Sequence, residues 1–281
     1  MKRYFDDNVF KVFLKDFSFL FKIIEASKGE LDLKIRPRNS FNLYYKGYSL
    51  AKVEFCTGLP YKILINTKFL DFGKDGYIFK KENRFFGNPS AKGEGYVSFK
   101  VSAHHLHPFF QKKYLKGICQ NINKVSSSGE LMFEQMLITD NLNREDVFFI
   151  DRQITETSLN KKRMDLLALK RTSNNKYHFL LIEVKLGNNQ ELREDVGVQL
   201  NQYLKHINNN FDAWKQCYEK NYQQVKETNI FKKPDFKKIE IVNKTKGEVA
   251  VCGYSGVGKE YLKNLKRTYP KIKVKQFEFY L

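Results

Sequence analysis

The first 30 residues carry apolar side chains at helical spacing. The repeating positions are Val9, Phe10, Phe13, Phe17, Leu20, Phe21 and Ile24. Spacings of three and four residues place these side chains on one face of a helix. The pattern predicts a helix over about residues 7–28, which Asp6 or Asp7 caps and Gly29 ends.

Short alternating runs rich in aromatic residues follow this helix. They cover residues 31–36, 41–55, 61–66 and 95–101, and Gly, Asn, Pro and Lys separate them. Alternation with a period of two indicates half-buried strands that pair antiparallel. We therefore expect a smaller N-terminal α+β domain over residues 1–120, and the Asn/Ser/Gly-containing stretch 121–129 is the best candidate for a linker.

The pattern changes after residue 129, where helical and strand-like segments alternate. We predict helices at about 129–139, 195–208, 210–226 and 258–268, and strands at about 147–154, 237–242, 248–253 and 272–279, with a long hairpin over 163–185. Such mixed order predicts an α/β domain over residues 130–281, with a central mixed sheet flanked by helices.

Composition agrees with a soluble globular chain and points to polyanions. The 281 residues include 42% hydrophobic side chains, and 50 Lys+Arg against 31 Asp+Glu give a formal net charge of +19. A positive excess attracts nucleic acid by long-range electrostatics, although a lysine-rich surface explains the charge equally well. The N-terminal domain interleaves bases with aromatics that suit base stacking and phosphate contact, as well as the outer face of a sheet. These residues are Lys34, Arg36, Arg38, Tyr44, Tyr45, Lys46 and Tyr48.

The cysteines and the apolar runs indicate a cytoplasmic protein. Four cysteines lie far apart without a CxxC pair, so we expect free thiols and neither a zinc site nor disulfides. No apolar run reaches transmembrane length, and the acidic residues near the N-terminus do not fit a signal peptide.

The hairpin carries the candidate chemistry. Residues two apart in a strand share a face, so Glu183 and Lys185 point the same way. If the turn is centred near Asn174, Asp165 lies directly opposite Glu183, with Cβ atoms roughly 4.5–5.5 Å apart. Two carboxylates held so closely repel unless a cation bridges them, and a cation with oxygen ligands and retained waters is Mg²⁺. Lys185 would orient or deprotonate a water, or neutralise a phosphate.

Two helices flank the hairpin. Upstream, Glu134 could supply a further metal ligand, whereas Glu130 in the first helical turn is favoured by the helix dipole alone. We expect Leu131, Met132, Met136 and Leu137 to hold this helix against the sheet. Downstream, Gln199 and Tyr203 lie i, i+4 on a helix, where they could position phosphate or water.

Taken in order, Glu134, Asp165, Glu183-Val184-Lys185 and Gln199-x-x-x-Tyr203 resemble the PD-(D/E)xK nuclease superfamily, in particular its RecB-like branch with a QxxxY motif. The resemblance covers roughly residues 126–210. It implies a restriction-endonuclease-like core in which Asp165, Glu183 and the backbone carbonyl of Val184 bind metal and Lys185 is catalytic. One departure is Met164, which stands where the family often has proline.

We therefore expect a Mg²⁺-dependent endonuclease that acts on DNA, and we expect that Mn²⁺ can replace Mg²⁺. A role in restriction or phage defence and assembly as a homodimer are further expectations. Three alternatives stay open: an RNA-cleaving enzyme, a nuclease activated by a ligand in the N-terminal domain, and a nucleic-acid-binding protein without turnover. The segment Gly253–Lys259 looks like a phosphate-binding loop, but Glu260 replaces the magnesium-binding Ser/Thr. We interpret it as a strand–turn–helix connection.

Overall fold

A computed structural model describes residues 1–56, 61–70, 90–91, 95–125, 128–156, 159, 162–193, 195–253 and 256–277. The chain divides into two compact units. The first consists of Met1–Ser128 with Gln224–Phe231, and the second of Gly129–Gln223 with Lys232–Leu281. None of the helices in these described ranges is long and apolar enough to cross a bilayer.

The first unit is built on a six-stranded sheet. Its strands are β1 (Leu31–Arg36), β2 (Ser40–Tyr45), β3 (Tyr48–Glu54), β4 (Tyr61–Asn66), β5 (Ser90–Ala91) and β6 (Tyr96–Val101), in the order β1-β2-β3-β4-β6-β5 with antiparallel pairing throughout. Its helices are α1 (Asp7–Asp16), α2 (Ser18–Ala26), α3 (Ala103–Phe109) and α4 (Lys112–Val125). Helix α4 runs through residues 121–125, so this part of the predicted linker is helical.

The single helix predicted over residues 7–28 is two helices. Phe17 interrupts it with a non-helical backbone, φ −110° and ψ 11°. Its ring is fully buried and lies 5.8 Å from the ring of Phe13 and 5.0 Å from that of Phe41 on β2. The interruption lets both helices face the same aromatic core, which helical periodicity alone cannot indicate.

Several basic residues predicted to face nucleic acid are internal. Lys34 is buried and lies 3.1 Å from a carboxylate oxygen of Asp32. Arg36 is also buried and donates a hydrogen bond of 2.6 Å to the hydroxyl of Tyr44. The bond from Arg36 to Tyr44 joins β1 to β2, and the Lys34–Asp32 pair lies within β1. The interpretation of Lys34, Arg36 and Tyr44 as a nucleic-acid surface is therefore wrong.

The second unit is built on a five-stranded mixed sheet. Its strands are β7 (Val147–Thr155), β8 (Arg163–Ser173), β9 (Lys176–Leu186), β10 (Glu240–Cys252) and β11 (Lys273–Phe277), in the order β11-β10-β9-β8-β7. Strands β7, β8 and β9 pair antiparallel, whereas β9, β10 and β11 pair parallel. Its helices are α5 (Gly129–Asp140), α6 (Asp195–Asn209), α7 (Phe211–Glu227, of which residues 224–227 belong to the first unit) and α8 (Gly256–Thr268). The mixed α/β fold class is confirmed.

Two predicted strands are one. Residues 237–242 and 248–253 were expected to form separate strands, but β10 is continuous from Glu240 to Cys252, with an irregular register between Ile241 and Thr245. Between the two apolar runs, Thr245, Lys246 and Gly247 pair with β9, so this segment is strand and does not form a loop.

Helix α5 packs on one face of this sheet through Leu137, as expected, and through two side chains that the sequence analysis did not single out. Met132 and Met136 are 43% and 45% exposed, contrary to the expectation that they hold the helix in place. Phe133 and Ile138 are buried instead, in a cluster with Leu166 and Ile182 of the hairpin.

The loop that resembles a phosphate-binding motif is explained by packing. A Cβ atom at Gly258 would lie 2.4 Å from the carbonyl oxygen of Gly187. Helix α8 begins at Gly256, four residues after the end of β10. Glycine is needed here because α8 approaches the backbone that follows β9, which agrees with a strand–turn–helix connection.

Candidate active site

The hairpin register places two acids opposite each other. Leu166 pairs with Ile182, and the pairing continues in step to Arg171 and Tyr177, with one irregularity before Ser173. One step beyond the first of these pairs, this register brings Asp165 opposite Glu183. The predicted register is therefore confirmed from Leu166 to Arg171. It shifts by one residue only next to the turn, before Ser173.

Hydrogen bonds tie the two acids to each other's strand. The backbone amide of Val184 donates to Asp165 Oδ2 over 2.9 Å, and the amide of Asp165 lies 3.4 Å from Glu183 Oε1. Glu183 is fully buried, and its Oε2 has no hydrogen-bond partner among the described residues. A buried carboxylate oxygen without a donor is costly, which marks this atom as a position for a ligand.

The electrostatics of the pair favour a bound positive charge. Burial raises the pKa of Asp165, and the positive charge of Lys185 only partly opposes it. Burial also raises the pKa of Glu183 well above its usual range, and the negative charge of Asp165 adds to the effect. Both acids therefore hold a proton more tightly than in water, because burial disfavours their charged forms and Lys185 compensates them only in part.

Lys185 lies beside the pair and contacts a third acid. Its Nζ is 3.8 Å from Glu183 Oε2 and 2.9 Å from Glu191 Oε2. Burial lowers the pKa of Lys185, but the charges of Asp165 and Glu183 outweigh burial and raise it above its ordinary value. The side chain is therefore an ammonium ion. Sequence reasoning missed Glu191, which lies in the short 3₁₀ helix Gln190–Leu192.

Glu134 forms hydrogen bonds with a different set of side chains. It is buried, and its carboxylate accepts a hydrogen bond of 3.0 Å from Arg152 Nη2 and another from Gln153. Burial raises the pKa of Glu134 to about 7; Arg152 opposes this shift, and the charge of Asp165 adds to it. Glu134 thus interacts with Asp165 through charge, while its hydrogen bonds in the structure go to β7.

Arg152 is the main feature of this region that the sequence analysis missed. Its guanidinium is fully buried and also donates 2.6 Å to Gln135 Oε1, so it fixes α5 to β7 through two neighbouring side chains. A signal existed in the sequence, because Asp151-Arg152 interrupts an apolar strand at a point where charges are rarely buried without partners.

Glu130 anchors the start of α5 to the end of β9. Its Oε1 accepts hydrogen bonds from the Leu186 amide at 3.2 Å and from Asn189 Nδ2 at 2.7 Å. The carboxylate therefore orders the chain just beyond Lys185, a structural task that goes beyond a favourable interaction with the helix dipole.

Gln199 and Tyr203 form a pair that contacts the first residue of β8. Gln199 Nε2 donates to the Tyr203 hydroxyl over 2.7 Å, and this hydroxyl donates to the Arg163 carbonyl oxygen over 3.2 Å. Burial raises the pKa of Tyr203 to about 12; Gln199 lowers it, and the charges of Glu183 and Asp165 raise it. The pair therefore lies within electrostatic reach of the acids and fixes the strand that carries Asp165.

The donor set fits a hard divalent cation. Two carboxylates with one unpartnered buried oxygen, next to the main chain of Val184, are the oxygen ligands that Mg²⁺ prefers. Among the described residues, no group of three or more His, Cys, Asp or Glu side chains is arranged to hold a metal ion. Glu134 therefore does not complete a three-residue ligand set in this conformation.

Comparison with known proteins does not assign the chain to a family. No family model and no curated protein matches the chain. A solved EndoMS–dsDNA2 complex aligns with 88% of this chain and 77% of its own, at 10% identity and a TM-score of 0.27. EndoMS in apo form aligns with 89% and 78%, at 8% identity and a TM-score of 0.25. Similarity at these TM-scores supports no argument, so the candidate function rests on the site.

Proposed function

We propose that the protein is a Mg²⁺-dependent nuclease that hydrolyses phosphodiester bonds of DNA. The observation that carries the proposal is the arrangement of Asp165 and Glu183 on adjoining strands with a buried, unpartnered oxygen on Glu183 and an ammonium 3.8 Å away. This is a largely buried setting with two acids and one ammonium, and it lies where β8 begins, next to the exposed Arg163.

Each residue has a distinct part in this proposal. Asp165, Glu183 and the Val184 carbonyl would hold the ion, which would supply activation of a water and neutralisation of charge on the phosphate. Lys185 is ion-paired and hence charged, so it donates hydrogen bonds to a phosphoryl oxygen and does not serve as a base. Gln199 and Tyr203 orient β8 and therefore Asp165.

A formal net charge of +19 favours a polyanion without selecting its sugar, so charge alone allows either nucleic acid, and we choose DNA as the substrate. The resemblance in motif order to RecB-like PD-(D/E)xK enzymes supports the same choice. The function in restriction or phage defence and the homodimer remain part of the proposal, and size-exclusion chromatography with light scattering tests the dimer directly.

The decisive experiment compares Asp165→Asn and Lys185→Met with a matched control, Asp212→Asn, which changes an exposed acid in the first turn of α7. Labelled single- and double-stranded DNA and RNA are incubated with Mg²⁺, Mn²⁺ or EDTA. We expect metal-dependent DNA cleavage by wild type and the control, and a loss of at least about 100-fold in both site variants. Cleavage of RNA but not of DNA would show that RNA is the substrate. Equal cleavage by all variants would refute the assignment of the active site.

A measurement without turnover separates metal binding from chemistry. Mn²⁺ binding followed by calorimetry should be lost in Asp165→Asn and retained in Lys185→Met, because only the first variant removes a ligand. Binding of DNA without cleavage of any substrate, by wild type in either metal, would instead identify a non-catalytic nucleic-acid-binding protein.

A further inference from the structure

One side of helix α4 faces a cavity in the first unit. The cavity has a volume of about 520 Å³. Six residues of α4 line it, at the spacing of a single helical face: Lys112, Leu115, Lys116, Cys119, Gln120 and Asn123. The opposite wall comes from the end of α2 and the start of β1. A cavity of this size lies within the range of small-molecule sites.

The floor of the cavity is apolar. Ile23 and Ala26 of α2, Leu31 of β1 and Leu115 of α4 line it together with the ring of Tyr45. Leu31 and Tyr45 are directly opposite each other in the β1–β2 pairing, so the sheet fixes this part of the wall. Such a floor accommodates a ring system or a short hydrocarbon body.

The rim of the cavity is mainly positive. Lys112 and Lys116 are exposed, line the cavity one helical turn apart and form no ion pair within the described part of the chain. Lys46 lies 5.7 Å from the centre of the Tyr45 ring and adds a third positive charge near the same wall. Glu30 is the acid that lines the cavity. Two lining lysines, with Lys46 nearby, against one lining glutamate complement an anionic group.

We propose that this cavity binds a small organic anion, with its apolar body on the floor between α2 and α4 and its charged group at Lys112 and Lys116. Burial raises the pKa of Cys119 in the cavity wall to about 12, with the charge of Glu30 adding to the shift, so its thiol is neutral and serves as an apolar contact. The site is independent of the proposed nuclease activity.

The probe is 1-anilinonaphthalene-8-sulfonate, which combines an apolar ring system with one anionic group. N-phenyl-1-naphthylamine has the same rings without the sulfonate and is the control ligand. The test variant is Lys112→Gln/Lys116→Gln. The matched control, Lys113→Gln/Lys124→Gln, removes the same charge from exposed positions on α4 that do not line the cavity.

We expect saturable binding of the sulfonate probe, with a Kd about tenfold higher in the test variant and unchanged in the control variant. The neutral probe should bind both variants equally. Cys119→Phe, which fills the cavity, should abolish binding of both probes while thermal unfolding shows that the protein remains folded. Equal weakening in the two lysine variants would show attraction by general surface charge and overturn the proposal, as would undiminished binding to a folded Cys119→Phe protein.

Discussion

The buried imidazole of His178 should make the stability of the second unit depend on pH. His178 lies on β9, is 5% exposed, and accepts or donates one hydrogen bond of 3.1 Å between Nδ1 and the Thr172 hydroxyl. Its Nε2 has no partner among the described residues. Burial lowers its pKa to about 4, and the charges of Lys246, Lys244 and Lys170 act in the same direction.

The sign of the effect follows from the two pKa values. Unfolded chains bind a proton at this histidine below about pH 6.5, whereas the folded chain does so only below about pH 4. Stability is therefore full above about pH 6.5 and is lost as the pH falls from there towards 4. Between pH 8 and pH 5 the free energy of unfolding falls by at most about 2 kcal/mol. This value is the interval of about 1.5 units from pH 6.5 to pH 5, multiplied by about 1.4 kcal/mol per unit.

The assay is urea unfolding followed by the fluorescence of Trp214, the only tryptophan, which is buried in the same unit. His178→Phe should reduce the difference between the free energies of unfolding at pH 8 and pH 5 by about 2 kcal/mol. His104→Phe, a change at an exposed histidine, should leave the difference as in wild type. If His178→Phe retains the full wild-type difference, the imidazole is protonated in the folded state and the reasoning is refuted.

Three further predictions concern the second unit. Gly258→Ala should destabilise it by about 1–3 kcal/mol because of the close Gly187 carbonyl, whereas Gly256→Ala, with open space around its Cβ position, should not; urea unfolding distinguishes them. Tyr218→Phe removes the 2.8 Å hydrogen bond to Asp151 Oδ2 and should cost about 1–3 kcal/mol in the same measurement. Glu183→Gln should raise the melting temperature in EDTA at pH 8, because burial and the charge of Asp165 disfavour its ionised form, and should abolish stabilisation by Mn²⁺; a fall in EDTA would contradict this account.

Local periodicity was sufficient to predict the hairpin of the candidate site. An alternating apolar pattern fixes which residues share a face, and the polar turn fixes the register, so the positions of Asp165 and Glu183 followed from the sequence. The register shift between Arg171 and Ser173 was not predictable from the sequence, because it depends on the backbone geometry of the turn between the two strands.

Contacts between segments that are distant in the sequence were harder to predict. The roles of Glu130 and Glu191 depend on where α5 and a 3₁₀ helix meet the end of β9, and helical spacing gives no information about that meeting point. Met132 and Met136 were assigned to the core because they are apolar, whereas the orientation of α5 is set by the burial of Phe133 and by Arg152. Tertiary packing therefore determines which face of α5 is buried, and the apolar character of single residues does not indicate that face.

The position of Arg152 bears on how Glu134 would act. A fully buried guanidinium that bonds Glu134 and Gln135 costs desolvation energy that a hydrophobic residue would avoid, so its presence is not explained by stability alone. Its charge opposes the rise in the pKa of Glu134, while Asp165 adds to that rise. Arg152 therefore keeps an acid ionisable near neutral pH within electrostatic reach of Asp165, even though both oxygens of that acid are held at β7.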